Sequence, residues 1–375
     1  MDSFRWVSVL LSMVLGLGIA NLLNGLVGVF RARRSQAPDW LPLAWAASIF
    51  IAHLQFWWAI NQMPHGLPHA DIGTVIGLVV FALLLSAAAV LLLPGRDTPG
   101  QTLRQHFEAD GRWALASLSV FLLATIVVNW TLFDTAPTSR ISVLTVPLAL
   151  APLLVVWNVS RRLSAAVTAL CVPLYVVDLF TLSRDPLPEG SLRWLSVMIS
   201  MILGLGVARL LTGLVVVFRA RGSSRLDWLP LVWAANIFVV QLQYWWAVNN
   251  LPPDAPPFTF PTFIAFLLLP TLLYLAAALL LPAAAEDEPA GLYAYFQRAG
   301  RWALALLAAY LALAEAANAL FFDVPLASTL TLLGLPTLLL PLVVVFARAR
   351  WLRAAVTIGY LPLLWLMTEL ASYGY

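Results

Sequence analysis

Long apolar runs alternate with short polar breaks along the whole chain, and there are twelve of them in 375 residues. In the first half they cover about 6–30, 40–60, 72–93, 113–133, 141–158 and 163–182. In the second they cover about 194–218, 228–248, 259–281, 302–322, 329–347 and 352–370. Each is roughly 18–25 residues long, the length a helix rising 1.5 Å per residue needs to cross a hydrocarbon core of about 30 Å. The pattern predicts an all-α membrane protein with twelve transmembrane helices. No connecting loop exceeds about 20 residues, so no soluble catalytic domain is expected.

The second six runs repeat the first six. Residues 5–64 return at 193–252 with roughly two-thirds of the paired positions identical, at an offset of 188. Further along the offset is 189: GRWALASL (111–118) matches GRWALALL (300–307), and SAAVTALCVPL (164–174) matches RAAVTIGYLPL (353–363). The expected organisation is two tandem six-helix repeats, 1–188 and 189–375. Six spans is an even number, so both repeats take the same orientation, related by an axis along the membrane normal. The first run is full length and recurs as an interior run in the second half, which argues against a cleaved signal peptide.

Composition and charge add a compartment and an orientation. At 62% hydrophobic and 10% charged the chain has more apolar surface than a soluble core of this size uses, and lipid is the solvent it fits. The connections 31–39, 94–112, 159–162, 219–227, 282–301 and 348–353 hold 16 of the arginines. The opposite side holds four, Arg5, Arg140, Arg184 and Arg193, and Arg209 lies within a run. The positive-inside rule then places the arginine-rich loops in the cytoplasm and both termini on the periplasmic or extracellular side of a bacterial inner membrane. The formal charge of +3 reads as topology, and no nucleic-acid partner is expected.

Absences narrow the chemistry. All 21 basic residues are arginine, so a phosphate-binding lysine or a Schiff-base lysine is ruled out. One cysteine, Cys171, cannot form an internal disulfide or hold a cluster. Only His53 of the four histidines falls within a run, which argues against bis-histidine haem, and no cofactor is expected. His65, His69 and Asp71 in PHGLPHAD could ligate a metal, but the second half offers only Asp254 there, and no metal site is assigned. Six plus six spans resembles the major facilitator transporters in outline, yet their cytoplasmic termini and acidic loop signature have no counterpart here. No resemblance to a particular family follows.

Several features kept by both halves have a structural reading. Asp39-Trp40-Leu41-Pro42 and Asp227-Trp228-Leu229-Pro230 supply a helix N-cap, an interfacial aromatic and an early proline. Ser12, Gly16, Ala20 and Asn24, with Ser200, Gly204, Ala208 and Thr212, form a small-residue stripe on the first helix of each half, suited to close packing or to a gate. Trp57-Trp58 and Trp245-Trp246 fit an aromatic belt or a binding surface.

The polar residues within the runs are the candidate site. Counted inward from the outer boundary, Gln55 and Gln243 lie roughly 9 Å deep and His53 and Gln241 roughly 12 Å, with Asn129, Asn318, Glu315 and Asp178 in the same layer. Asn21 and its counterpart Arg209 come out near the midplane. Polar groups facing lipid are costly, so a layer of them on several helices predicts either a shared cavity between the repeats or hydrogen bonds between helices. The halves differ in charge: Arg209 stands opposite Asn21, and Glu315 opposite Ile126. A charge at a helix centre costs about 2.5–3.5 kcal/mol on insertion scales, which makes an Arg209–Glu315 ion pair worth testing, although Glu315 falls roughly 10 Å further out. Glu369, opposite Phe180, and Asp178, opposite Met367, are further one-sided acids.

The favoured functional expectation is a transporter or channel for a proton or small cationic solute, with Glu315, Arg209, Gln243, Gln241, Asn318, Gln55, His53 and Asn21 contacting it. The outer segments carry Asp2, Asp71, Asp134, Asp185, Glu189, Asp254 and Asp323 against four arginines, which favours cations. The alternatives are a membrane scaffold or accessory subunit, and, less favoured, an enzyme acting within the membrane on a lipid or lipid-linked substrate. The orientation is checked by single cysteines in a Cys171→Ala background. Those placed in 31–39 and 219–227 should resist an impermeant thiol reagent in intact cells while those near 67 and 255 react, and labelling of the arginine-rich loops would reverse the assignment.

Overall fold

A computed structural model of the chain describes residues 2–62, 72–94, 101–133, 136, 138–157, 160–181, 192–220, 226–251, 259–283, 291–322 and 329–373. The described residues are helical almost throughout, with no strand among them. They form two compact units, Met1–Trp194 and Leu195–Tyr375. In the first unit the helices are α1 (Asp2–Ala32), α2 (Trp40–Gln62), α3 (Ile72–Leu92), α4 (Leu103–His106), α5 (Arg112–Phe133), α6 (Arg140–Trp157) and α7 (Arg161–Thr181). In the second they are α8 (Leu192–Arg219), α9 (Trp228–Asn249), α10 (Phe260–Leu280), α11 (Leu292–Tyr295), α12 (Arg301–Phe321), α13 (Thr329–Phe346) and α14 (Arg350–Tyr373).

Among the described residues nine helical stretches are long and apolar enough to cross a membrane: Val7–Ala32, Trp40–Ile60, Ile72–Leu92, Leu103–Thr131, Ser196–Arg219, Trp228–Asn249, Phe260–Leu280, Leu292–Phe321 and Arg350–Leu370. The chain is therefore a multi-pass helical membrane protein by length and composition. The other three apolar runs are also helices, α6, α7 and α13. The apolar described parts of α6 and α13, Ser142–Trp157 and Thr331–Phe346, are shorter than the nine, and each helix contains two prolines, Pro147 and Pro152 or Pro336 and Pro341.

Two spans start earlier than the hydropathy pattern predicts. α4 and α5 are joined into one helix by a π-turn, Phe107–Gly111, and α11 and α12 by Phe296–Gly300. Burial of one aromatic explains each extension: Phe107 and Phe296 are turned inward, and a residue one position earlier reaches back to the end of the preceding long helix. His106 Nε2 lies 3.2 Å from the Leu91 carbonyl, and the Tyr295 hydroxyl donates to the Leu279 carbonyl at 3.1 Å. Those carbonyls belong to the last turn of α3 and α10, where no intrahelical donor remains.

Helix starts follow the sequence reading. One oxygen of Asp227 accepts from Leu229 N at 3.0 Å and one of Asp39 from Leu41 N at 3.2 Å, the N-cap arrangement. The second oxygen of each carboxylate holds an arginine at the start of the last helix of the same unit, Arg161 at 2.9 Å and Arg350 at 2.6 Å. A single aspartate thus sets both the first turn of α2 or α9 and its register against α7 or α14.

Packing inside each unit rests on aromatics and on glycines. Phe56, Phe81 and Phe121 join α2, α3 and α5, with ring centroids 4.3–5.5 Å apart. At the counterparts of Phe56 and Phe121 the second unit has Tyr244 and Tyr310, 6.1 Å apart, and the Tyr244 hydroxyl donates to the Phe266 carbonyl at 2.5 Å. Close approaches of the first helix of each unit fall at Gly18 and Gly25, and at Gly206 and Gly213. A Cβ on Gly25 would stand 2.6 Å from Leu93 Cβ, and one on Gly213 2.6 Å from Leu281 Cβ, whereas Gly204 of the stripe meets nothing within 4 Å. Gly25→Ala and Gly213→Ala should each destabilise the protein by about 1–3 kcal/mol in thermal or denaturant unfolding, the usual range for overpacking. Gly28→Ala, where nothing lies within 4 Å, should be close to neutral.

Candidate functional site

Depth along a helix does not decide which neighbour a side chain meets; rotation about the axis does. Gln241 and Gln243 lie at similar depth on α9 but are two residues, about 200°, apart. Gln241 is buried against Gly206 of α8, where a Cβ would stand 2.5 Å from its Nε2, and that nitrogen lies 3.5 Å from the Leu273 carbonyl of α10. Its Oε1 has no hydrogen-bond partner among the described residues. Gln243 faces the other way and donates to the Thr368 hydroxyl of α14.

The first unit repeats the inward position with a different side chain. His53 is fully buried; its Nδ1 lies 2.8 Å from the Ile49 carbonyl, and its Nε2, without a hydrogen-bond partner, is packed against Gly18 where a Cβ would collide with it. Glycine at 18 and 206 is therefore the space that a polar side chain at 53 or 241 occupies. Gln55 is half-buried on α2. Asn21 is exposed and donates to its own helix, to the Leu17 carbonyl at 3.0 Å, which hides its polarity from lipid without any partner helix.

Glu315 has a seat of its own. It is half-buried on α12, and its carboxylate accepts a hydrogen bond from the Thr331 hydroxyl on α13. One turn further along α13 is Gly334, where a Cβ would collide with the carboxylate. Glu315 thus takes its hydrogen bond from Thr331 and not from Arg209, which sits on α8 and is half-buried. Asn318 follows one turn after Glu315 on the same helix. The counterparts of this trio in the first unit are Ile126, Ser142 and Thr145, so the glutamate stands in the half where the facing residue is glycine. Thr331 and Gly334 escaped the reading of the sequence, because neither is a conspicuous residue alone. The signal lay in the paired exchange at 126/315 and 145/334.

The predicted residues therefore fall on separate helix contacts. His53 meets α1, Gln241 meets α8 and α10, Gln243 meets α14, and Glu315 meets α13. Glu369 is exposed near the end of α14 and Asn129 is half-buried on α5. His65, His69, Asp71, Asp134, Asp185, Glu189, Asp254 and Asp323 lie outside the described residues, as do the side chains of Asp2 and Asp178. The paired tryptophans divide. Trp57 and Trp58 are buried, with Trp57 Nε1 donating to Ser12 Oγ at 3.0 Å, while Trp245 makes the equivalent bond to Ser200 at 3.0 Å and, like Trp246, is exposed. The Trp57 pair is core in place of the expected belt or binding surface, and the stripe serine is its acceptor.

Comparison of the chain with protein-family models, with curated proteins and with solved structures yields no match.

The seat makes a specific demand on residue 334. Gly334→Ala should expel the Glu315 carboxylate from Thr331 and lower stability by about 1–3 kcal/mol. The double variant Glu315→Ile with Gly334→Thr, which recreates the pair found at 126 and 145, should recover most of that loss. A double variant as unstable as the sum of its parts would show that 315 and 334 do not share one space.

Proposed function

We propose that the chain passes a proton or a small cation across a bacterial inner membrane, with Glu315 as the group that takes it up. In this reading α6, α7 and α13 complete twelve spans, arranged as two tandem six-helix repeats of parallel orientation with both termini outside. The seat of Glu315 carries the proposal. A carboxylate within a span is costly, and an intramembrane ionisable residue marks a functional site by default. Here its position is made by a hydroxyl and by the loss of a side chain on the facing helix, in one half only. A half-buried carboxylate with one neutral hydrogen-bond donor can exchange a proton without breaking an ion pair. The acids predicted at the outer mouth would enrich cations near it, and Arg209, deeper on α8, would oppose their further entry.

A second reading is favoured by the hydrogen bonds between helices. Trp57 to Ser12, Trp245 to Ser200, Trp233 to Thr357 and Gln243 to Thr368 each join two helices of one unit, as a membrane scaffold or accessory subunit would require. The two readings separate in liposomes. The purified full-length protein should pass protons or a small cation under an imposed gradient, and Glu315→Gln should bring the flux near that of empty liposomes while leaving thermal unfolding little changed. Tight liposomes containing folded protein, tested across cations, anions and neutral solutes, would leave the scaffold reading.

A further inference from the structure

The contact between α9 and α14 is a ladder of polar rungs in register. Asp227 and Arg350 fix one end of it, where both helices start. Six residues on from Asp227, Trp233 Nε1 donates to Thr357, seven on from Arg350, at 3.0 Å. Sixteen and eighteen residues on, Gln243 donates to Thr368. These bonds show that counts from the two starting residues that differ by only one or two bring side chains opposite each other.

Asn236 is nine residues from Asp227, and Tyr360 is ten from Arg350. At 1.5 Å per residue they stand about 14 and 15 Å along the ladder, between the tryptophan rung and the glutamine rung. Both point into it. Asn236 is about 20° from Gln243 and about 60° from Trp233 around α9, and the Tyr360 ring lies 4.8 Å from that of Trp233. Asn236 is 2% exposed and Tyr360 0%. Yet among the described residues neither Asn236 Nδ2 nor the Tyr360 hydroxyl has a hydrogen-bond partner, although the other three rungs are closed.

We infer that a water molecule binds at this rung, accepting from the Asn236 amide and bonded to the Tyr360 hydroxyl. Buried waters sit where two to four otherwise unsatisfied polar groups converge, and in a span no other solvent can reach them. The first unit supplies the contrast. Its corresponding residues are Ser48 and Cys171; the serine donates to its own helix, to the Ala44 carbonyl at 3.1 Å, and a thiol is a weak partner. The Asn236–Tyr360 rung occurs in the second unit only, at a place distinct from the seat of Glu315.

The test uses the full-length protein. Asn236→Ser and Tyr360→Phe should each lower the unfolding temperature by about 2–4 °C, and the double variant should be scarcely worse than either, because each single change already removes one anchor of the same water. Additive losses, or a single variant as stable as the parent, would overturn the inference. A density map that resolves waters should show one within hydrogen-bond distance of both groups. Ordered side chains without that density, or a direct bond between Asn236 and Tyr360, would overturn it as well.

Discussion

Inside a bilayer there is no bulk water to accept a stray hydrogen bond, so a polar group in a span is costly unless it finds a partner within the protein or in a buried water. The helical backbone meets this demand for its own amides. Side chains meet it in three ways here. Asn21 folds back onto its own helix, Gln243 and Trp233 reach a neighbouring helix, and Glu315 is given a place cut into the facing one. The architecture of each unit follows from which of these a residue uses.

The ends of the helices obey the same rule with charge. Asp39 and Asp227 each use one oxygen for the amide at the start of a helix and the other for an arginine on another helix. A carboxylate divided this way leaves neither the helix start nor the arginine unsatisfied at the membrane boundary, and it fixes the vertical register between two helices. The register makes the α9–α14 contact a ladder. A shift of one residue would rotate its side chains by about 100° and open every rung.

Some of the divergence between the two halves lies in their interiors. Phe56, Phe121 and Cys171 are replaced by Tyr244, Tyr310 and Tyr360, and Ile126 by Glu315. At these four positions the second unit carries a hydroxyl or a carboxylate where the first has an apolar side chain or a thiol. Glycine matters in both. Gly18 and Gly206 admit His53 and Gln241, and Gly334 admits Glu315, each by leaving out the Cβ that would occupy the space.

Helical class, the existence of long apolar spans, the capping aspartates and the one-sided charges were all legible in the sequence. They depend on length, local hydrogen bonding and composition, which neighbours in the chain determine among themselves. The early starts of α4 and α11 were not legible, because the pull comes from Leu91 and Leu279 on other helices. Nor was the dispersal of the polar layer. Depth is a property of one helix, and sequence gives it; the azimuth at which Gln241, Gln243 and Glu315 meet their neighbours depends on how helices pack. Trp57 shows the same limit, since a tryptophan near a span end fits the interface equally well until Ser12 on the adjacent helix takes its N–H. Glu315 could be singled out from the sequence, but only the packing of α12 on α13 shows what holds it: Thr331 and the space at Gly334.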